Sequence, residues 1–271
     1  MKFVLSLCIF AIAQLAHATE LFPSSAPRTF SLGEQLENDA TIGSYPIWQG
    51  ERKWRVYDLA TRSSGGSAMP VPLADARFFQ TEGGKLVAIM SVSANLAQAN
   101  ADDWVDDPCK RDDLLFKLSS GRSFKNVNCV TINHITGFPG NPNGAAANLY
   151  ALLKENSIDI PPTVIQLVFT RYASNLRRLS VTLFVNPELV GIPRAAEVQW
   201  GRNPWHKSQS ANDPDKTRFV DGLSAWAKQF AKQMDLAFDK NPDAFTAIPS
   251  WRAIPELNNQ NGATKPKIKL D

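Results

Sequence analysis

Apolar positions recur along this chain in two rhythms, one of period two and one of period three to four, and each predicts its own kind of element. Residues 163–172 and 179–186 are rich in β-branched and aromatic side chains, with Ala173-Ser174-Asn175 between them suited to a turn. In the second run Leu179, Val181, Leu183 and Val185 point one way while Ser180, Thr182 and Asn186 point the other, which predicts a strand with one buried face. Residues 85–96 follow Gly83-Gly84 and hold Val87, Ile89 and Val92 in a nearly unbroken apolar run. That run predicts a strand buried on both faces at its start. Residues 114–118 and 126–135 read as two further strands around a Ser119-Ser120-Gly121 turn. Residues 48–59 favour a strand through Trp54, Val56 and Tyr57, and the charges of Glu51, Arg52, Lys53 and Arg55 place it at an exposed or edge position.

The longer rhythm occurs twice. Over residues 145–155, Ala146, Leu149, Leu152 and Leu153 recur at helical spacing, with Asn143 or a neighbour as the cap and Pro161-Pro162 forbidding continuation. Over residues 217–240, Phe219, Leu223, Trp226, Phe230, Met234 and Phe238 step by three or four, and Lys228 and Lys232 lie off that stripe. This predicts a long C-terminal amphipathic helix. Hairpin-linked strands with helices between them describe an α+β fold with a mostly antiparallel sheet, an amphipathic helix after the third strand region and a second near the C-terminus.

The remaining segments set the expected domain limits. Residues 19–46 contain Pro23, Pro27 and Pro46 without a sustained period and are expected to be loosely ordered. A single α+β domain is expected over residues 47–250, with 63–67 and 187–216 as irregular connections, followed by a polar, flexible tail over 251–271. At the other end, Met1 and Lys2 precede an apolar stretch over residues 3–16, and Ala16-His17-Ala18 supplies the small-x-small pattern of signal peptidase. Residues 1–18 are therefore read as a signal peptide, since about 14 apolar residues are too few for the ~20 of a spanning helix. No later run approaches that length, so no transmembrane segment is expected in the mature chain.

Export changes the meaning of the cysteines. Cleavage removes Cys8 and leaves Cys109 and Cys129, a natural structural pair in an oxidising compartment, whether periplasm or medium. The net charge of +3 is too small for a dedicated nucleic-acid binder.

Three places carry candidate chemistry. Asp102, Asp103, Asp106 and Asp107, followed by Asp112 and Asp113, form a dense carboxylate run in which a calcium-like ion is physically reasonable. The run lacks the EF-hand pattern, and Lys110 and Arg111 offer an alternative counter-charge, so no cofactor is assigned. His134 ends a strand ahead of Gly137-Phe138-Pro139-Gly140, where a histidine beside free backbone amides can contact a ligand. Trp200, Arg202, Trp205 and His206 could line a cleft for an aromatic or sugar ligand, or simply pin a long connection to the core. Signatures such as Gly-x-Ser-x-Gly, His-Glu-x-x-His and Ser-x-x-Lys are absent, and no catalytic residue is assigned. The expected function is that of an exported non-catalytic protein binding a small ligand or an envelope component. The alternatives are an exported hydrolase using carboxylates of the acidic run, with or without a divalent cation, and a structural envelope protein.

Overall fold

Among the described residues seven strands form one sheet in which every strand neighbour is antiparallel, and two helices of three turns or more pack against it. The computed structural model describes residues 20–23, 27–36, 40–50, 54–64, 71–97, 108–120, 126–138, 143–173, 177–241, 243–245 and 248–254. The predicted signal peptide, the aspartates 102, 103, 106 and 107, and residues 255–271 of the expected tail lie outside them. A small hairpin, β1 (Thr41–Ile42) and β2 (Tyr45–Pro46), precedes β3 (Arg55–Ser64), β4 (Val71–Glu82), β5 (Lys85–Asn95), β6 (Phe116–Ser119), β7 (Asn126–Thr136), α1 (Ala145–Glu155), β8 (Thr163–Ala173), β9 (Arg177–Val185), α2 (Lys207–Ser210) and α3 (Pro214–Phe238). The main sheet runs β3-β4-β5-β9-β8-β7-β6. It is two meanders, β3 to β5 and β6 to β9, joined where β5 pairs with β9.

Several boundaries differ from the sequence reading for local reasons. The first long strand begins at Arg55 rather than Trp48 and runs on through Ser63 and Ser64, which the sequence assigns to a loop. Trp48 and Trp54 instead serve as buried anchors before it, 3% and 1% exposed, and the Trp54 indole N–H donates to the Gln49 carbonyl. The sequence pattern predicts no strand over the residues of β4. Pro72, Asp75 and Arg77 interrupt its apolar pattern, yet it pairs with strands on both sides. α1, by contrast, spans the expected residues 145–155: Gly144, the neighbour of Asn143, caps it at φ 53° without a side-chain bond, and just past its end Ser157 turns left-handed at φ 54°. α3 starts three residues before the expected Thr217 because Asp213 accepts from the amides of Asp215 and Lys216 and Pro214 fills the first helical position.

Because directly paired residues share a face, the register divides the sheet into rows. Val56, Phe78, Met90, Leu183, Leu167, Ile132 and Phe116 form one row, and every member except half-buried Phe116 is buried. This face packs against Phe219, Leu223, Trp226, Phe230, Met234 and Phe238 of α3 in one large core. All six of those side chains are buried, while Lys228 and Lys232 are exposed. Leu21, Phe22, Leu36, Ile42 and Tyr45, from the segment expected to be loosely ordered, join the same core, as do Trp251 and Ile254 beyond the expected domain end. On the opposite face, α1 places Leu149 and Leu153 on Tyr57, Phe79, Leu86 and Ile89 at one end of the sheet. Near the other end lie Cys109, Cys129, Val127 and Tyr172. No helix among the described residues is long and apolar enough to cross a membrane.

Candidate functional site

His134 lies near the end of β7, in the α3-side row of Ala88, Val185 and Ile165, and is fully buried. It is roofed by the short helix Trp200–Arg202: the Trp200 indole stacks on the imidazole at 5.0 Å and 19°. His206 meets both rings edge-on, at 5.9 Å from His134 and 4.5 Å from Trp200. The His134 Nδ1 is 3.2 Å from Asn133 Oδ1 and its Nε2 is 3.3 Å from the Trp200 carbonyl. Asn133 Oδ1 also accepts from the His134 backbone N–H at 2.9 Å, which identifies that atom as the oxygen. Burial lowers the His134 pKa, opposed by the bond to the Trp200 carbonyl and reinforced by His206. The ring is thus held neutral and out of solvent.

Of the five residues singled out as ligand contacts, three meet: His134, Trp200 and His206. Trp205 does not join them. It is fully buried in the core, edge-on to Phe219 at 5.4 Å. Its position follows from Asn203, whose Oδ1 accepts from the Trp205 amide and whose Nδ2 donates to Thr163 Oγ1, tying the connection to β8. Arg202 is exposed at the end of the short helix. His206 Nδ1 accepts from Ser208 at the start of α2, so this histidine is also a helix cap.

Asp112 and Asp113, the described end of the acidic run, are both ion-paired. Lys117 Nζ sits 2.8 Å from Asp112, and Arg111 clasps Asp113 with two bonds of 2.9 and 2.6 Å. The hydrogen bonds from Lys117 and from Arg111 hold these two carboxyls below the usual range. Among the described residues no group of three or more His, Cys, Asp or Glu is placed to hold a metal ion. Cys109, in the short helix Pro108–Lys110, is disulfide-bonded to Cys129 of β7, with a Cα–Cα distance of 5.8 Å.

A second place was not singled out by sequence reasoning. Between α1 and the disulfide, the face turned away from α3 carries the row Asp58, Arg77, Ser91, Thr182, Val168, Thr131 and Lys117, one residue from each strand. The flanking rows contribute Ser93 and Ser180 on one side, Phe184 and Gln166 on the other. Ser91, Ser180, Thr182, Gln166, Val168 and Phe184 are half-buried, and among the described residues the side chains of Ser91, Ser180, Thr182 and Gln166 make no hydrogen bond. The charges beside them are mutually engaged. Arg77 pairs with Asp58 and reaches Asp75 at 3.5 Å, while Arg62 donates to Asp75 at 2.7 Å and to Ser93 Oγ at 3.3 Å. Desolvation pushes the neighbouring Tyr57 hydroxyl up to about 12, leaving it a neutral donor. The resulting shelf is polar, partly open and walled at both ends. The signal for it in the sequence is the alternation of Ser180 and Thr182, repeated at Ser91 and Ser93, but the pairing that aligns them depends on β5 meeting β9.

No family model, curated protein or solved structure matches this chain.

Proposed function

We propose that this is an exported, non-catalytic protein that binds a small ligand or another envelope component on the polar shelf of its sheet. The observation that carries the reading is the set of four half-buried side chains, Ser91, Ser180, Thr182 and Gln166, whose hydrogen-bonding capacity no other described residue uses. A fold that packs its main core on one sheet face and leaves polar groups side by side on the other has the form of a binding surface. Export is supported by the N-terminal pattern of charge, apolar run and small residues together with the Cys109–Cys129 bridge. The hydrolase alternative has less support. Asp112 and Asp113 are held ionised by their basic partners, an arrangement that suits surface cross-linking rather than proton donation near neutrality.

The test is a titration of the isotopically labelled mature chain, followed by backbone amide NMR, with an aqueous extract of envelope carbohydrates and metabolites. Shifts concentrated on Ser91, Gln166, Ser180 and Thr182 are expected. A spectrum unchanged on these amides at saturating extract removes the reading. Cell fractionation with N-terminal sequencing checks export separately: a mature chain beginning at Thr19 outside the cytoplasm is the expected result.

A further inference from the structure

The shelf also carries information about the kind of ligand. We infer that it takes an uncharged, polyhydroxylated ligand, of the glycan class; the inference rests on the binding reading above and narrows it. Charge is the first argument. The central row starts and ends on ion-paired residues, Asp58 with Arg77 and Lys117 with Asp112, and Asp75 is shared by Arg62 and Arg77. An anionic ligand would have to compete with Asp58 and Asp75 for these guanidinium groups, and a cationic one with the arginines for the carboxylates. Neither gains enough in a partly wet site to repay that exchange.

The second argument is the inventory of free groups. Three hydroxyls and one carboxamide offer donors and acceptors in the same small area, which matches a ligand whose own hydroxyls both donate and accept. The third is shape and apolar content. Phe184 follows Thr182 on the same face of β9 and stacks on Phe138 at 6.0 Å and 28°, giving a half-buried ring against which the C–H face of a sugar can lie. Val168 continues the apolar floor beside Thr182. From β3 to β8 the shelf crosses five strands, about 19 Å at the usual strand spacing. This is an elongated surface rather than a closed pocket, suited to a short oligosaccharide laid across the strands.

The experiment uses the mature chain and four probes in amide NMR titrations: cellotetraose and chitotetraose as neutral sugars, a sulfated heparin tetrasaccharide as the anion, and tetra-alanine as a peptide. A neutral sugar is expected to give saturable shifts confined to the shelf. The double variant Ser91→Ala/Thr182→Val, in which valine keeps the size and β-branching of threonine and alanine removes only the serine hydroxyl, is expected to weaken that binding about tenfold, the effect of losing two hydrogen bonds. Unchanged melting of the variant establishes that the loss is not one of folding. Shifts on the shelf from the sulfated sugar or the peptide alone overturn the ligand class and leave the binding reading standing. Silence from all four probes also overturns the class, and the binding reading falls with it only if the envelope extract leaves the same amides unmoved. Neutral-sugar binding that the double variant retains in full places the ligand elsewhere and overturns the inference.

Discussion

His134 shows how much a single residue's surroundings decide. Both of its ring nitrogens face oxygens, Asn133 Oδ1 and the Trp200 carbonyl, and a neutral imidazole has one N–H to give. The imidazolium would satisfy both, but burial under Trp200 disfavours the charge, so the folded-state pKa lies below the ordinary 6.5. The sign of the consequence follows from linkage. The unfolded chain binds the proton more readily, so the stability this site contributes is complete above about pH 6.5 and is lost as pH falls towards the folded-state pKa. Urea midpoints measured from pH 7.5 to 5 are expected to fall, and His134→Gln is expected to flatten the fall. An identical slope in the variant would exclude this histidine as its source. The sequence made His134, Trp200 and His206 visible as chemically capable residues, the latter two as near neighbours in one connection. For Trp205 it offered both a cleft wall and a pin to the core; the inward position that the structure shows depends on Asn203 reaching Thr163, forty residues earlier in the chain. It could not show the shelf, since Ser91 and Thr182 are ordinary outward positions on their own strands until the register sets them side by side.

At the scale of elements, α3 is the part of the fold whose sequence and structure agree most closely. Its spacing identifies the six large side chains that meet the sheet; it ends at Phe238, two residues short of the expected Lys240, and it starts earlier than expected because Pro214 reads as a breaker unless Asp213 is recognised as the cap ahead of it. Asp213→Ala is expected to cost about 1 kcal/mol of stability, since two backbone amides lose their acceptor, whereas Asp213→Asn should cost much less. Denaturant unfolding distinguishes the two. Phe230 stands at the centre of an aromatic group, 4.4 Å from Phe169, 5.1 Å from Trp226 and 5.5 Å from Trp48. Phe230→Ala is expected to cost about 3–5 kcal/mol, and a loss below about 1 kcal/mol would mean that this group does not hold helix to sheet. β4 is the opposite case. Its Asp75 and Arg77 look like loop residues because their partners, Arg62 and Asp58, come from the neighbouring strand, and period-two reasoning within one segment has no access to cross-strand charge.

At the scale of the whole molecule, the order of strands makes one covalent bond unusually consequential. β5 is an interior strand of the sheet and β6 lies at its far edge, with β9, β8 and β7 between them, so the two strands that follow each other in the chain are far apart in the sheet. The bridge from Cys109 to Cys129 ties the chain to β7 just before a four-residue strand that, among the described residues, pairs only with β7. Cys109 Sγ also lies 3.4 Å from the Leu118 carbonyl, within β6 itself. Closing a loop with a sequence separation of 20 contributes about 3 kcal/mol in the chain-entropy account. For a chain of this size that corresponds to roughly 6–12 °C in melting temperature. The Cys109→Ser/Cys129→Ser variant is therefore expected to melt lower by that amount. Its hydrogen exchange should rise first at Phe116–Ser119, because β6 has one neighbour and mostly exposed side chains, while the β8 and β9 amides exchange only through global unfolding. Equal melting temperatures for the variant and the oxidised protein would show that antiparallel pairing alone holds the rim. A uniform rise in exchange across all seven strands would show instead that the sheet opens as one unit, with no weaker edge for the bridge to secure.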